Sequence, residues 1–221
     1  MKKKQNNFAK KISIFYDKIA KNRKKWIEKG SSFHREDRLN LKELILPNSR
    51  ILELGCGTGY LLHSLKKIKV DFDYYGIDAN NEFIEIGKKY SKTQGLDSKL
   101  FTMRIEDFRG RFDHIVCLNF LSNIDNYHKI LERLLLASKK TVLIRESLSD
   151  KSEYNFVNDD FLDPKRKLSV YVNTYSIREV KKFIKKYGFS VRLITDNRVK
   201  DKFELVIGYR HYWKFMLATK K

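Results

Sequence analysis

Nine residues, Ile51-Leu-Glu-Leu-Gly-Cys-Gly-Thr-Gly59, constrain this chain more than any other stretch. Ile51, Leu52 and Leu54 form the apolar run of a strand buried on both faces, as parallel strands usually are. Gly55, Gly57 and Gly59 then follow at alternate positions. Glycine reaches positive φ without a Cβ clash and lets a ligand lie against the backbone. A helix opening near Gly59 would aim free N–H groups into the same crevice. Glu53 is the one charge in the strand, and a lone acid there is costly unless it has a polar partner. A dinucleotide fingerprint, Gly-x-Gly-x-x-Gly, would need glycine or alanine at position 60. Tyr60 stands there instead.

The strand and helix signals around this stretch alternate. Strands are expected at 50–55, 74–78, 99–105, 112–118 and 141–145, and helices at 59–67, 81–90 and 125–137. Ser176-Ile-Arg-Glu179 reads as a capping box opening a helix that Gly188 stops. Residues 189–194 and 203–219 read as two further strands joined by a polar turn, the second bending near Gly208. Alternation of this kind implies a parallel sheet with right-handed crossovers. A closing strand pair with no helix between implies an antiparallel last strand. One stretch breaks the rhythm. Residues 146–175 are too long for an ordinary connection, yet too rich in Tyr154, Phe156, Phe161, Tyr171 and Tyr175 to be disordered.

Upstream, residues 1–7 read as a disordered, basic start, followed by an N-terminal helical cap over 8–47. Residues 8–221, this cap included, form a single domain, with 148–175 as an insertion on its substrate side. The first residues lack the apolar segment of a secretory signal, and no run approaches the roughly eighteen apolar residues of a membrane span. A cytoplasmic protein is expected. Cys56 and Cys117 make no disulfide framework, and no Cys/His cluster has zinc spacing. The net charge of +20, from 47 basic and 27 acidic residues, would attract a nucleic acid. The lysines are nevertheless spread along the chain in a lysine-biased composition, so nucleic acid is not the favoured partner.

Glu53-Leu-Gly55-Cys-Gly57-Thr-Gly59 resembles the first signature of class I S-adenosylmethionine (SAM)-dependent methyltransferases, acid-x-Gly-x-Gly-x-Gly. The resemblance implies a Rossmann-like, doubly wound α/β fold. Its seven-stranded, mostly parallel sheet carries an antiparallel last strand, N-terminal helices and an insertion after strand 5. It implies SAM as methyl donor and S-adenosylhomocysteine as product. Cys56 falls within the same loop. Asp78, 23 residues after Gly55 at the end of strand 2, matches the family's second signature. A carboxylate there can accept both ribose hydroxyls, with Ala79 flanking the adenine. Asp107, or Glu106 in the other register, matches the acid that accepts from the adenine amino group. Asn119, ending strand 4, would lie near the methionine moiety. Phe15-Tyr16-Asp-Lys-Ile-Ala20 is similar to a helix preceding the nucleotide domain in many small-molecule methyltransferases, which makes Tyr16 a cofactor or lid residue. The prolines of the Asp/Asn-Pro-Pro-aromatic motif of some amino methyltransferases are absent after Asn119.

Methyl transfer is an in-line displacement, and positioning alone can supply about 7–11 kcal/mol. A hydroxyl acceptor additionally needs a base. Glu146, His211 and His34 are the candidate bases or acceptor-positioning residues; His128, on the helix after strand 4, is a weaker one. Tyr154, Tyr171 and Tyr175 are candidate substrate contacts. Asn119 and Glu146 are too few for a metal-dependent site, so no metal is expected. Three functions are consistent with these residues. The leading one is methyl transfer to an oxygen or nitrogen of a small molecule, such as a sugar or other metabolite. The others are an RNA methyltransferase and a non-catalytic SAM-binding protein.

Overall fold

The computed structural model describes residues 48–59, 61, 62, 65, 72–93, 99–158, 169–196 and 199–221. The basic start, the N-terminal cap, Tyr16, His34 and Phe161 lie outside the described residues. Strand β1 (Ser49–Leu54) leads into the glycine loop, after which Leu61, Leu62 and Leu65 are helical and buried. Then follow β2 (Phe72–Asp78), α1 (Asn81–Thr93), β3 (Lys99–Thr102) and β4 (Phe112–Leu118). A short 3-10 turn (Leu121–Asn123) precedes α2 (Tyr127–Ala137), and β5 (Ser138–Ser149) completes the parallel set. The sheet continues through β9 (Phe189–Thr195) and β12 (Trp213–Lys220), with α3 (Ile177–Lys186) before β9.

The strand order is β3-β2-β1-β4-β5-β12-β9, parallel from β3 to β5, with β12 antiparallel to both its neighbours. The chain order reverses between β1 and β4. That is the switch point beyond whose carboxyl ends open α/β sheets bind ligands. Alternate residues of the strands feed two cores. Leu52, Ile115, Ile144 and Met216 pack with Leu131 and Leu134 of α2 and Val180 and Ile184 of α3. Ile51, Val116, Leu143 and Phe215 pack on the other face with Leu61, Leu62 and Leu65. Each leucine so buried contributes about 1.5–3 kcal/mol. The helices are bounded by their side chains. Asn126 caps α2 by accepting from His128 N–H, and Ser176 caps α3 by accepting from Glu179 N–H.

Three boundaries differ from the sequence expectation. Strand 3 stops at Thr102: Met103 N–H makes the last bond to β2, at Asp78 C=O (2.8 Å), and the chain then enters a turn at residues 105–107. Strand 5 runs far past Arg145, to Ser149, where β8 (Tyr175–Ser176) pairs with it in parallel. The long final strand is two pieces. A hairpin of β10 (Glu204–Val206) and β11 (Tyr209–His211) turns at Ile207 and Gly208, both at positive φ, before β12 begins. Two such residues suit the right-handed twist of a tight hairpin. The insertion is likewise structured. Its β6 (Phe156–Asn158) and β7 (Ser169–Tyr171) form a second antiparallel hairpin; residues 159–168 between them are outside the described set.

Candidate active site

The glycine loop is held by backbone and one carboxylate. Gly55 and Cys56 both donate N–H to Ile77 C=O, at 2.9 and 3.1 Å, which ties the loop to the end of β2. Gly55, Gly57 and Gly59 have φ of +66°, +55° and +76°, so the glycines answer a backbone demand. Asp78 accepts from Gly57 N–H through one oxygen and from Asn80 N–H through the other, each at 2.9 Å. Glu53 has its polar partner in Tyr74, whose hydroxyl donates to it. Cys56 is buried in the loop, and burial together with Glu53 and Asp78 pushes its thiol well above the usual range. It remains a neutral, packed thiol. Ala79 is exposed at the rim, as are Glu106 and Asp107 in the turn after β3. Glu106 is engaged by Arg104 (3.3 Å), whereas Asp107 N–H closes the turn onto Arg104 C=O.

The end of β4 is built differently. Asn119 adopts φ +57°, donates N–H to Arg145 C=O (2.7 Å) and accepts through its side chain from the Arg145 guanidinium. Arg145 also donates to Asp196 from Nε (2.8 Å) and Nη2, and its guanidinium lies 4.8 Å from the Trp213 ring centre. Both ends of this pair are sealed, Arg145 at 1% exposure and Asp196 at 0%. Breaking such a pair by removing one partner is costly, because the other charge stays buried. The sequence reading missed both residues. The signal available was the one that flagged Glu53, a lone charge at the end of an apolar strand.

Glu146 does not face the crevice. Strand residues alternate sides, so Glu146 shares the face of Ile144 and Leu148, beneath the loop that follows β4. Its carboxylate accepts from the N–H groups of Phe120, Leu121 and Ser122 (3.0, 3.0 and 2.9 Å) and from the Ser122 hydroxyl (2.9 Å). Burial pushes its carboxyl up to about 7 against these four donors. With its oxygens so engaged, Glu146 is a loop clamp and not a substrate base. Tyr175 also leaves the substrate list. It is buried, and its hydroxyl donates to Leu121 C=O (2.5 Å). Asn173 N–H meets Ser122 C=O (2.9 Å), and its amide donates to Ile124 C=O (2.8 Å). The insertion is thus pinned to the β4 loop. Of the other two tyrosines, Tyr154 is 58% exposed, and Tyr171 is half-buried beside Phe156 (4.6 Å between ring centres).

His211 ends the β10–β11 hairpin two residues before Trp213, and the two rings are 4.9 Å apart. It is 1% exposed, and neither ring nitrogen has a hydrogen-bond partner among the described residues. Burial lowers its pKa to about 4, so the ring is neutral at pH 7. Asn119, Arg145, Trp213 and His211 therefore form a line of contacts across the carboxyl ends of β4 and β5 and the start of β12. His128, by contrast, is exposed on α2. Phe120 joins the two ends of the crevice. A Cβ added at Gly55 would lie 2.7 Å from its ring. Among the described residues, no group of three or more His, Cys, Asp or Glu is placed to hold a metal ion. No helix among them is long and apolar enough to cross a membrane.

This crevice, with its glycine cradle and strand-end acids, fits the SAM-dependent methyltransferases. A methyltransferase-domain family model matches residues 19–194, and the chain belongs to that family. Its sheet, parallel from β3 to β5 with β12 antiparallel, is consistent with a Rossmann-like methyltransferase fold. A carboxy-S-adenosyl-L-methionine synthase of Campylobacter jejuni is 31% identical over 125 residues, 55% of this chain and 48% of that protein. The mitochondrial ubiquinone biosynthesis O-methyltransferase of Saccharomyces cerevisiae is 33% identical over 88 residues, 38% of this chain and 28% of its own length. The chain thus spans about half or less of these relatives. Among solved structures, a DhpI–S-adenosylhomocysteine complex superimposes with TM-score 0.65 at 13% identity, covering 93% of each chain. A SAM-dependent methyltransferase from Clostridium acetobutylicum does so at 0.60 and 16%, covering 93% of this chain and 98% of that one. At such identities the likeness concerns the fold.

Proposed function

We propose that this methyltransferase transfers the methyl group to an oxygen or nitrogen of a small molecule held across the carboxyl ends of β4, β5 and β12. The donor supplies a methyl group already activated on a sulfonium. The chain's own residues have to place it, keep water away and receive a proton. The glycine loop gives the donor a backbone bed, and Asp78 offers a carboxylate to its ribose hydroxyls. The loop after β4, fixed by Glu146 and by Asn119's bonds to Arg145, sets the position of the reacting centre. His211 is the observation that carries the acceptor assignment. A buried imidazole with both nitrogens unpartnered costs about 1–3 kcal/mol, which a hydroxyl or amine of the acceptor would recover. As a neutral ring it can accept a proton from that group. The relative named as a ubiquinone biosynthesis O-methyltransferase supports a small-molecule hydroxyl acceptor.

A second reading comes from the relatives named as carboxy-S-adenosyl-L-methionine synthases, and makes carboxy-SAM the product. Mass spectrometry of the sulfur-containing product separates the two. S-adenosylhomocysteine formed only with an added metabolite pool supports methyl transfer, whereas a carboxylated SAM supports the second reading. Calorimetry tests the donor site. Wild type should bind SAM, and Asp78→Ala should weaken binding about 10–100-fold, the loss of one or two charge-assisted bonds. Equal affinity in the variant would remove Asp78 from the site.

A further inference from the structure

Helix α3 presents five cations on its outer side. Arg178, Lys181, Lys182, Lys185 and Lys186 line one open groove of about 900 Å³, together with Ile177 and a single acid, Asp150. None of the five side chains has an ion pair or hydrogen bond among the described residues. Some cations elsewhere do find partners, although others, such as Lys89 and Lys129, stand single on the surface among the described residues. Lys88 pairs with Glu85, Lys99 with Asp73, Arg104 with Glu106 and Lys140 with Asp113. The one acid of α3, Glu179, is engaged by the Ser152 hydroxyl (2.6 Å) at the helix start. The other described helices mix signs on their surfaces. Helix α1 carries Glu82 and Glu85 beside Lys88, Lys89 and Lys92, and α2 carries Glu132 between Lys129 and Arg133. The groove is therefore more than a sample of a lysine-rich composition. The fold gathers one sign there and leaves its counter-charge outside the molecule.

We infer that the outer face of α3 binds the phosphodiester backbone of a single-stranded nucleic acid. The cations recur at i, i+3, i+4, i+7 and i+8, a row of about 12 Å at 1.5 Å per residue, long enough for two or three successive phosphates. Exposed rings lie a few residues further along the chain from Asp150, which lines the groove. The Ser152–Glu179 bond and the bond from the Ser176 hydroxyl to Asp150 C=O (3.2 Å) fix residues 150–152 at the helix start. Tyr154 and Phe156, 58% and 53% exposed, follow within four residues. Exposed rings beside a cationic track stack bases without reading their sequence. A membrane surface fits less well, since the apolar side of α3, Val180 and Ile184, is spent in the core and the helix has no apolar face of its own to insert. This surface is separate from the crevice and does not depend on which acceptor is methylated.

The test is fluorescence anisotropy of the full chain with a labelled twelve-nucleotide RNA and the matching single-stranded DNA, titrated with salt. Both should bind, with log affinity falling against log salt at a slope of roughly −2, about 0.7 for each of two or three neutralised phosphates. A K181Q/K182Q/K185Q/K186Q variant should lose at least tenfold in affinity and most of the slope, with SAM binding unchanged. A control of equal charge, K89Q/K92Q/K129Q/K139Q, should keep both. Equal losses in the two variants would make the binding a property of net charge and overturn the site. So would no binding by wild type, or preference for phosphatidylserine vesicles over both oligonucleotides. Failure here leaves the SAM measurements standing, and failure of those leaves this surface untouched.

Discussion

At the carboxyl ends of β1 and β2, backbone geometry makes the site, whereas at the ends of β4 and β5 buried side chains make it. The donor end needs three residues at positive φ and one carboxylate that touches Gly57 and Asn80. The end proposed for the acceptor has Glu146 below the β4 loop, Arg145 and Asp196 above it, and Tyr175 and Asn173 clipping the insertion to it. A site made from backbone conformation tolerates little change in residue type but involves few partners. A site made from buried polar groups is held by many contacts, each of which is expensive to remove.

Three variants put that contrast at risk. The largest effect is expected for Glu146→Ala, which leaves three buried N–H groups and the Ser122 hydroxyl without an acceptor. At about 1–3 kcal/mol per orphaned group, the loss is roughly 4 kcal/mol or more, a large part of a typical domain's stability. Urea unfolding measures it. A loss below about 1 kcal/mol would mean the loop holds itself. His211→Phe comes next. A histidine whose folded pKa is lowered from 6.5 to about 4 is fully stabilising above pH 6.5 and loses that contribution as pH falls towards 4. The span is worth about 3 kcal/mol. The variant should be at least as stable as wild type at pH 7, should lack this portion of the acid-side decline, and should turn over its acceptor more slowly. A variant that is stable and fully active would take His211 out of the acceptor site. The smallest effect belongs to Tyr175→Phe, about 1 kcal/mol for one hydrogen bond, seen as a drop of roughly 2–4 °C in the thermal midpoint. A collapse in turnover with no change in midpoint would instead return Tyr175 to the substrate.

The same contrast explains what could be read from residues alone. Positive φ and close approach leave glycine as their trace, so the loop from Gly55 to Gly59 is visible in the sequence. An acid after an apolar strand is visible too, and Asp78, bound to the loop at Gly57, is such an acid. Glu146 was found but misplaced. In a strand, one position separates a residue facing the crevice from one facing the opposite core, and the groups it binds are backbone N–H, which carry no sequence mark. Arg145 and Asp196 are 51 residues apart and belong to no motif. The acceptor end depends on long-range packing, and no local pattern records it. The break at Ile207 and Gly208 was half legible. Glycine announced a bend, but an isoleucine at φ +51° hid a tight hairpin.

The Glu146 clamp has a consequence for how specificity could change. In the motif that this chain lacks, two prolines stiffen the segment after strand 4 by restricting φ. Here stiffness comes from a carboxylate gripping three successive amide hydrogens. Every residue but one possesses that hydrogen. The side chain at position 120 can therefore be exchanged to reshape the acceptor pocket while the main chain stays where it is. Proline alone is barred from positions 120 to 122, the residue that elsewhere performs the same task.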